Sequence, residues 1–364
     1  LKTKLRLFLF IISITLLIIL VPSGIFYGYW NTASPEKTCM SCHEIRQAAT
    51  HWQNSAHRNI NCKECHGTAL SNGFHSIKEK LGMVTTHLSD EIPEQIRLSE
   101  AQILETMERC VKCHQNEYSN WKAGGHSAKY SDIFLDKTHN TTERLNFDCL
   151  RCHGMFYNGT IDDLVEPIDM KGPWKFKVAE KANHSTIPCM ACHQIHSEGS
   201  PEQNPDYSNP AEIKVKRDFA TPMVGFYNRS DAYFFRADFL PKGKITDKER
   251  LLKFSDDPRQ RVCIQCHAPN AWHHSGTGDD RTPSGVHEGI SCLACHATHS
   301  NKTEKSCKQC HPIMSNCGID VETMNTSYKD PKSAYNIHFV KCENCHDETK
   351  EQLKLMKNKI QTVN

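Results

Sequence analysis

"SGVHEGISCLACHATHS" spans residues 284–300 and places three histidines around one cysteine pair. Cys292 and Cys295 lie three positions apart, and His296 follows at once. His287 stands five residues before Cys292, and His299 three residues after His296. The unit Cys-x-x-Cys-His occurs nine times in the 364-residue chain. In order, the sites are Cys39, Cys42 and His43; Cys62, Cys65 and His66; Cys110, Cys113 and His114; Cys149, Cys152 and His153; Cys189, Cys192 and His193. They continue with Cys263, Cys266 and His267; Cys292, Cys295 and His296; Cys307, Cys310 and His311; Cys342, Cys345 and His346. We number them 1 to 9. Of 19 cysteines only Cys317 is left over.

The spacing has a chemical reason. Two thiols three positions apart can add to the two vinyl groups of one haem, and the next histidine then falls beneath the iron. This is the c-type haem attachment signal, with histidine as axial ligand. A disulfide framework explains paired cysteines but no histidine after each pair. Structural zinc uses closed sets of four Cys and His ligands, and has no need of the same five-residue unit nine times. The reading is therefore nine c-type haems, with His43, His66, His114, His153, His193, His267, His296, His311 and His346 as proximal ligands.

A six-coordinate haem needs a second ligand from another segment. Twenty-two histidines leave thirteen outside the motifs. His57, His184 and His287 each precede a motif by five residues, and His338 precedes one by four. His196 and His299 follow one in the form Cys-His-x-x-His. With His126 and His139 these are the distal candidates. His51, His75, His87, His273 and His274 rank below them. Each segment would fix one haem and lend an imidazole to another.

The hydrophobic fraction is 38%, below that of ordinary globular chains. With about 40 residues per motif, the haems themselves are expected to form the core. The expected fold is mainly α with long loops and little β. Residues 94–109 and 347–361 read as helices, and Thr246 with Glu249 as a helix capping box. The aromatic run 224–239, "VGFYNRSDAYFFRADF", reads as packing against haem faces.

Residues 7–30 are apolar over the length a membrane helix needs. Lys2, Lys4 and Arg6 precede them, while Tyr27, Tyr29 and Trp30 close them. This orients the rest of the chain outside the cytoplasm. An uncleaved single-pass anchor in the cytoplasmic membrane is the favoured reading, and a cleaved signal peptide the alternative. The formal net charge of +2 gives no basic footprint, so nucleic acid is not an expected partner. Six Asn-x-Ser/Thr sequons, at Asn140, Asn158, Asn183, Asn228, Asn301 and Asn325, suggest surface glycosylation.

The first part of the chain resembles the NapC/NirT family of membrane-anchored multihaem quinol dehydrogenases. The resemblance lies in the anchor, in "CMSCHEIRQAATHWQNSAHRNINCKECHG" at 39–67, and in "ILETMERCVKCH" and "HNTTERLNFDCLRCHG" further on. The methionine that members often place after the first haem histidine is absent, since Glu44, Ile45 and Arg46 follow His43. The resemblance implies four haems, electrons drawn from membrane quinol, and delivery to a partner outside the cytoplasm. The expected organisation is an anchor over 1–30, a tetrahaem region over 31–160 and a pentahaem region over 161–364. The leading function is an electron conduit from a membrane donor, quinol, to an extracytoplasmic redox protein or terminal acceptor, with an oligomer left open. The alternatives are a reductase of a small nitrogen or sulfur compound at one open haem, and a subunit of an extracellular cytochrome filament. No catalytic residue is assigned.

Overall fold

The computed structural model describes residues 2–41, 45–68, 82, 85–89, 98–196, 224–247, 249–268, 281–299, 307–311, 324–326 and 333–345. Cys42, His43, His346, Cys317, His75, His273, His274, Asn301 and the helix read over 347–361 lie outside the described residues. The chain is mainly helical with long connections, and among the described residues the strands form three two-stranded antiparallel sheets. It divides into two units, Leu1–Cys113 with Ile195–Ser197, and His114–Gln194 with Glu198–Asn364.

The first unit opens with one helix, Lys2–Thr32. Its 31 residues rise about 46 Å at 1.5 Å each, more than the roughly 30 Å of a bilayer's hydrocarbon core. Its apolar side chains are exposed from Leu5 to Tyr29. The hydroxyls of Thr15, Ser23 and Thr32 donate to the carbonyls of Ile11, Ile19 and Gly28, one turn back. The helix thus carries no unmet hydroxyl donor at these positions into an apolar medium. It is long and apolar enough to be a single-pass anchor.

Short helices follow at Pro35–Thr38, Arg46–Gln53 and Cys62–His66. Three long side chains tie them together. Lys63 Nζ donates to Ala33 O at 2.7 Å, Trp52 Nε1 to Ile60 O at 3.1 Å, and Arg109 Nη1 to Cys65 O at 2.7 Å. The helix read over 94–109 is observed as Glu100–Cys110. Ser99 and Gln102 form a reciprocal capping box at its start, which satisfies two of the otherwise orphan backbone donors.

Among the described residues the second unit has three apolar clusters. Tyr130, Phe134, Leu145, Leu150, Tyr157, Ile161, Leu164 and Val165 form the first. Asn140 is fully buried beside it, its amide donating to Phe134 O at 2.9 Å. A glycan has no room there, so this sequon is not a surface site, whereas Asn158 and Asn183 are exposed.

The aromatic run becomes a hairpin, Gly225–Asn228 paired with Tyr233–Arg236. Its Phe226 and Phe235 join Met155, Ala191, Ala237, Leu240 and Val262 in the second cluster. The third holds Ile245, Leu252, Ile264 and Ala268.

One local reading is corrected. Thr246 does not open a helix: Thr246–Asp247 pairs with Arg250–Leu251 as a small hairpin. Ile245 and Leu252 are buried on either side of it. Arg250 makes a two-pronged ion pair with Glu288 at 2.6 and 2.7 Å. Apolar burial and this clamp outweigh the local capping pattern.

Candidate haem sites

Among the described residues the motifs fold as single tight turns or as the last turn of a helix. Cys62–His66, Cys149–Cys152, Cys307–Cys310 and Cys342–Cys345 are one-turn helices. Cys189–Ala191 and Cys292–Ala294 are 3-10 turns. Cys110 ends one helix, and site 6 closes the helix Pro258–His267. The amide of the motif histidine donates to the carbonyl of the first cysteine at sites 4, 5, 7 and 8, over 2.9, 3.0, 2.9 and 2.7 Å. That bond fixes the sequence spacing in space. Residues i and i+3 share a face, so both thiols reach the same side and the histidine folds back beneath it.

The described motif cysteines are thiols, not disulfides. Burial pushes the thiols of Cys62, Cys65, Cys149 and Cys189 above the ordinary cysteine value. Cys192 is pushed up to about 11 by the same cause. Apolar surroundings disfavour thiolates and suit sulfurs that end as neutral thioethers. Among the described residues no three or more His, Cys, Asp or Glu side chains gather as a metal-ion site.

Four motif histidines each face one further histidine. At site 2, His66 Nε2 and His196 Nε2 are 3.5 Å apart, with ring planes 25° from parallel. At site 5, the rings of His193 and His299 have centroids 5.7 Å apart. At site 6, His267 faces His126 at 6.1 Å. At site 7, the rings of His296 and His338 have centroids 6.1 Å apart and planes 87° apart. An iron between two imidazoles, with metal–nitrogen bonds of about 2 Å each, needs facing nitrogens about 4 Å apart. The site 2 pair fits this after opening by a few tenths of an ångström.

The second nitrogens and the charge states fit as well. His196 Nδ1 donates to Ala48 O at 2.9 Å, and His287 Nδ1 to Ile337 O at 2.8 Å. A carbonyl on Nδ1 fixes the tautomer and leaves Nε2 as the ligating atom. Burial holds His126, His196 and His296 below the ordinary histidine value, and the nearby His299 adds to the effect on His126. A neutral imidazole is the form that binds metal.

The remaining distal candidates are placed differently. His139 is half-exposed, with Nε2 3.5 Å from the Glu143 carboxylate. His57 donates through its backbone to Ser55 Oγ. His184 accepts at its carbonyl from Tyr130 N at 3.0 Å, while Thr186 N donates to Ala128 O at 2.9 Å. The segment at His338 is paired from one side only: Ser284 N donates to His338 O at 2.8 Å and Val286 N to Val340 O at 3.0 Å. In both, a 3-10 turn carrying His126 or His287 lies along a segment that leads into the next motif. Gly285 makes the second pairing possible. Its φ is +77°, and a Cβ there would collide with Val340 O.

His51 was ranked low from sequence. Its Nδ1 is buried with no hydrogen-bond partner, and the residue lies within electrostatic reach of His196. Its place on the helix Arg46–Gln53, one turn from the Ala48 carbonyl that holds His196, is the signal that could have raised it.

Helix Pro258–His267, which carries site 6, begins at Asp257. The Asp257 side chain caps Arg259 N at 3.0 Å, pairs with the Arg259 guanidinium, and accepts from Ser291 Oγ at 2.9 Å. The Arg259 hydrogen bond is the main cause holding its carboxyl below the ordinary range. A carboxylate with a depressed folded pKa contributes stability above its unfolded value, and that contribution is lost as pH falls through the folded value. Asp257→Ala is expected to cost about 1 kcal/mol, the usual worth of an N-cap. Denaturation at stepped pH checks it. The gap from wild type should be full at neutral pH and shrink below about pH 4.

Residues 2–157 match the model of the NapC/NirT cytochrome c family, N-terminal region. Residues 237–297, which hold sites 6 and 7, match the model of cytochrome c554 and c-prime. Searches of curated proteins and of solved structures returned no match.

Proposed function

We propose that this chain, a membrane multihaem cytochrome of electron transfer whose residues 2–157 match the NapC/NirT cytochrome c family model, is a nonahaem conduit. It takes electrons from membrane quinol and carries them through nine covalently attached haems to an acceptor outside the cytoplasm. Haem supplies the one-electron chemistry when bound, and the protein supplies attachment, ligands and burial. The tetrahaem region is 31–160 and the pentahaem region 161–364. The proximal ligands are the nine motif histidines. His196, His299, His126 and His338 are the distal ligands of sites 2, 5, 6 and 7. His57, His139, His184 and His287 are left for the remaining sites.

The facing histidine pairs carry this reading. A reductase needs an iron with an open position, whereas a second imidazole at each of four sites closes that position. Each pair also joins distant stretches of chain, His66 with His196 and His193 with His299. Such ties hold the sites rigid and close, as repeated electron transfer requires.

The quinol step is assigned to site 1, held by Cys39, Cys42 and His43. Cys39 follows the apolar helix by only a few residues. Replacing His43 in the membrane-bound protein is expected to abolish reduction of the array by a quinol analogue, while dithionite still reduces the other haems. Undiminished quinol-driven reduction in a folded His43 variant would remove site 1, and quinol with it, from the account.

A further inference from the structure

The nine motifs follow one another along the chain, but the second unit does not pack them in that order. Three other motifs meet the helix Pro258–His267 that carries site 6. Site 4 meets it through Arg151, whose Nη1 donates to Gln265 O at 3.0 Å. Cys152 Sγ lies 4.0 Å from that same carbonyl, and Cys152 and Cys266 lie within electrostatic reach of each other. Gln265 is inside motif 6, so two attachment turns touch directly.

Site 7 meets the other end of the motif. Ser291, which caps the turn Cys292–Ala294, donates to the helix cap Asp257 at 2.9 Å. Cys263 and Cys292 lie within electrostatic reach of each other. Site 5 meets the helix through packing: Ala191 and Cys192 lie in one apolar cluster with Val262 and Cys266.

These contacts have a consequence for electron flow. A motif cysteine is bonded at the edge of its macrocycle. Attachment turns packed this closely would bring the edges of the haems they hold near one another, where electron tunnelling would be fastest. We propose that site 6 is the junction of the electron path in the second unit, receiving electrons from site 4 and passing them to site 7, with site 5 a branch on the same helix. In each step one electron leaves a ferrous iron and reduces a neighbouring ferric iron, and no bond or proton moves. The proposal rests on the haem reading above and adds an order, 4 to 6 to 7, that departs from the sequence.

The test uses the full-length holo-protein. His126→Met substitutes the ligand facing His267, and a methionine ligand raises a haem's potential. Site 6 is then reduced first and carries one positive charge fewer, which makes each ferric neighbour harder to reduce. In a redox titration followed by electron paramagnetic resonance, three other low-spin signals should move to lower potential in this variant. His299→Met, at the branch, should move fewer. If His126→Met moves no more signals than His299→Met, the junction is overturned.

A cryo-electron microscopy structure of the wild-type holo-protein is the second measurement, and it stands even if a variant fails to assemble. Ring edges of site 6 in contact with those of sites 4 and 7 are expected. Site 4 or site 7 without contact to site 6 would overturn the proposal. A His126→Met protein with an unchanged spectrum would count against His126 as ligand. The order of sites is then decided by the wild-type structure, so the two failures are distinguishable.

Discussion

His196→Ala is expected to open one iron of the array while leaving the number of attached haems unchanged. Cys62 and Cys65 still hold the group at site 2, and His66 still lies beneath it. The imidazole that faces His66 at 3.5 Å is gone. One low-spin haem should become high-spin, seen as a new axial low-field signal in electron paramagnetic resonance and a matching optical change. Added imidazole should reverse it. The variant also loses the bond from His196 Nδ1 to Ala48 O, so the helix Arg46–Gln53 should exchange its amides faster. A spectrum that stays fully low-spin would refute His196 as the ligand. His51, close by with an unpartnered buried nitrogen, would then be the next residue to replace.

Phe235→Ala is expected to have the largest effect on stability. Phe235 is 3% exposed in the cluster that backs sites 5 and 6. Truncating a buried phenylalanine costs about 3–5 kcal/mol, from lost transfer energy and the cavity left behind. Chemical denaturation followed by circular dichroism measures it. Because Ala191, Cys192, Val262 and Cys266 pack around this cluster, the visible spectrum should report the same transition at a lower denaturant concentration than in wild type. A loss below about 1 kcal/mol, less than such truncations cost, would mean the hairpin does not support these sites.

The motif turns were legible because their geometry is local. Cys292, Cys295 and His296 must be close in sequence to serve one group, and a single helical turn makes spacing and geometry the same fact. The anchor was legible for a similar reason, since a run of apolar residues defines its own helix. The recurring histidines at fixed offsets from the motifs were visible too, and His196, His299 and His338 do face motif histidines.

Which motif each one faces was not legible. His196 follows site 5 yet faces His66 of site 2, 130 residues earlier. His299 follows site 7 and faces His193 of site 5. Those choices are made by packing between distant segments, which no offset records. His139, chosen on the same sequence grounds as His126, instead reaches the Glu143 carboxylate on its own turn. The hairpin at 246–251 teaches the same lesson in reverse. Thr246 and Glu249 match a helix start locally, but burial of Ile245 and Leu252 and the Arg250–Glu288 pair select a strand. Asn140 satisfies a sequon by its neighbours alone, while its side chain is spent on holding Phe134 O inside the core.

The claim on which the account rests is that all nine motifs carry haem. Intact mass of the purified, acid-treated protein tests it most directly, because thioether-linked haem survives the acid that strips non-covalent groups. The account predicts a mass above that of the polypeptide by nine haems, and a persistent deficit of two or more would contradict it.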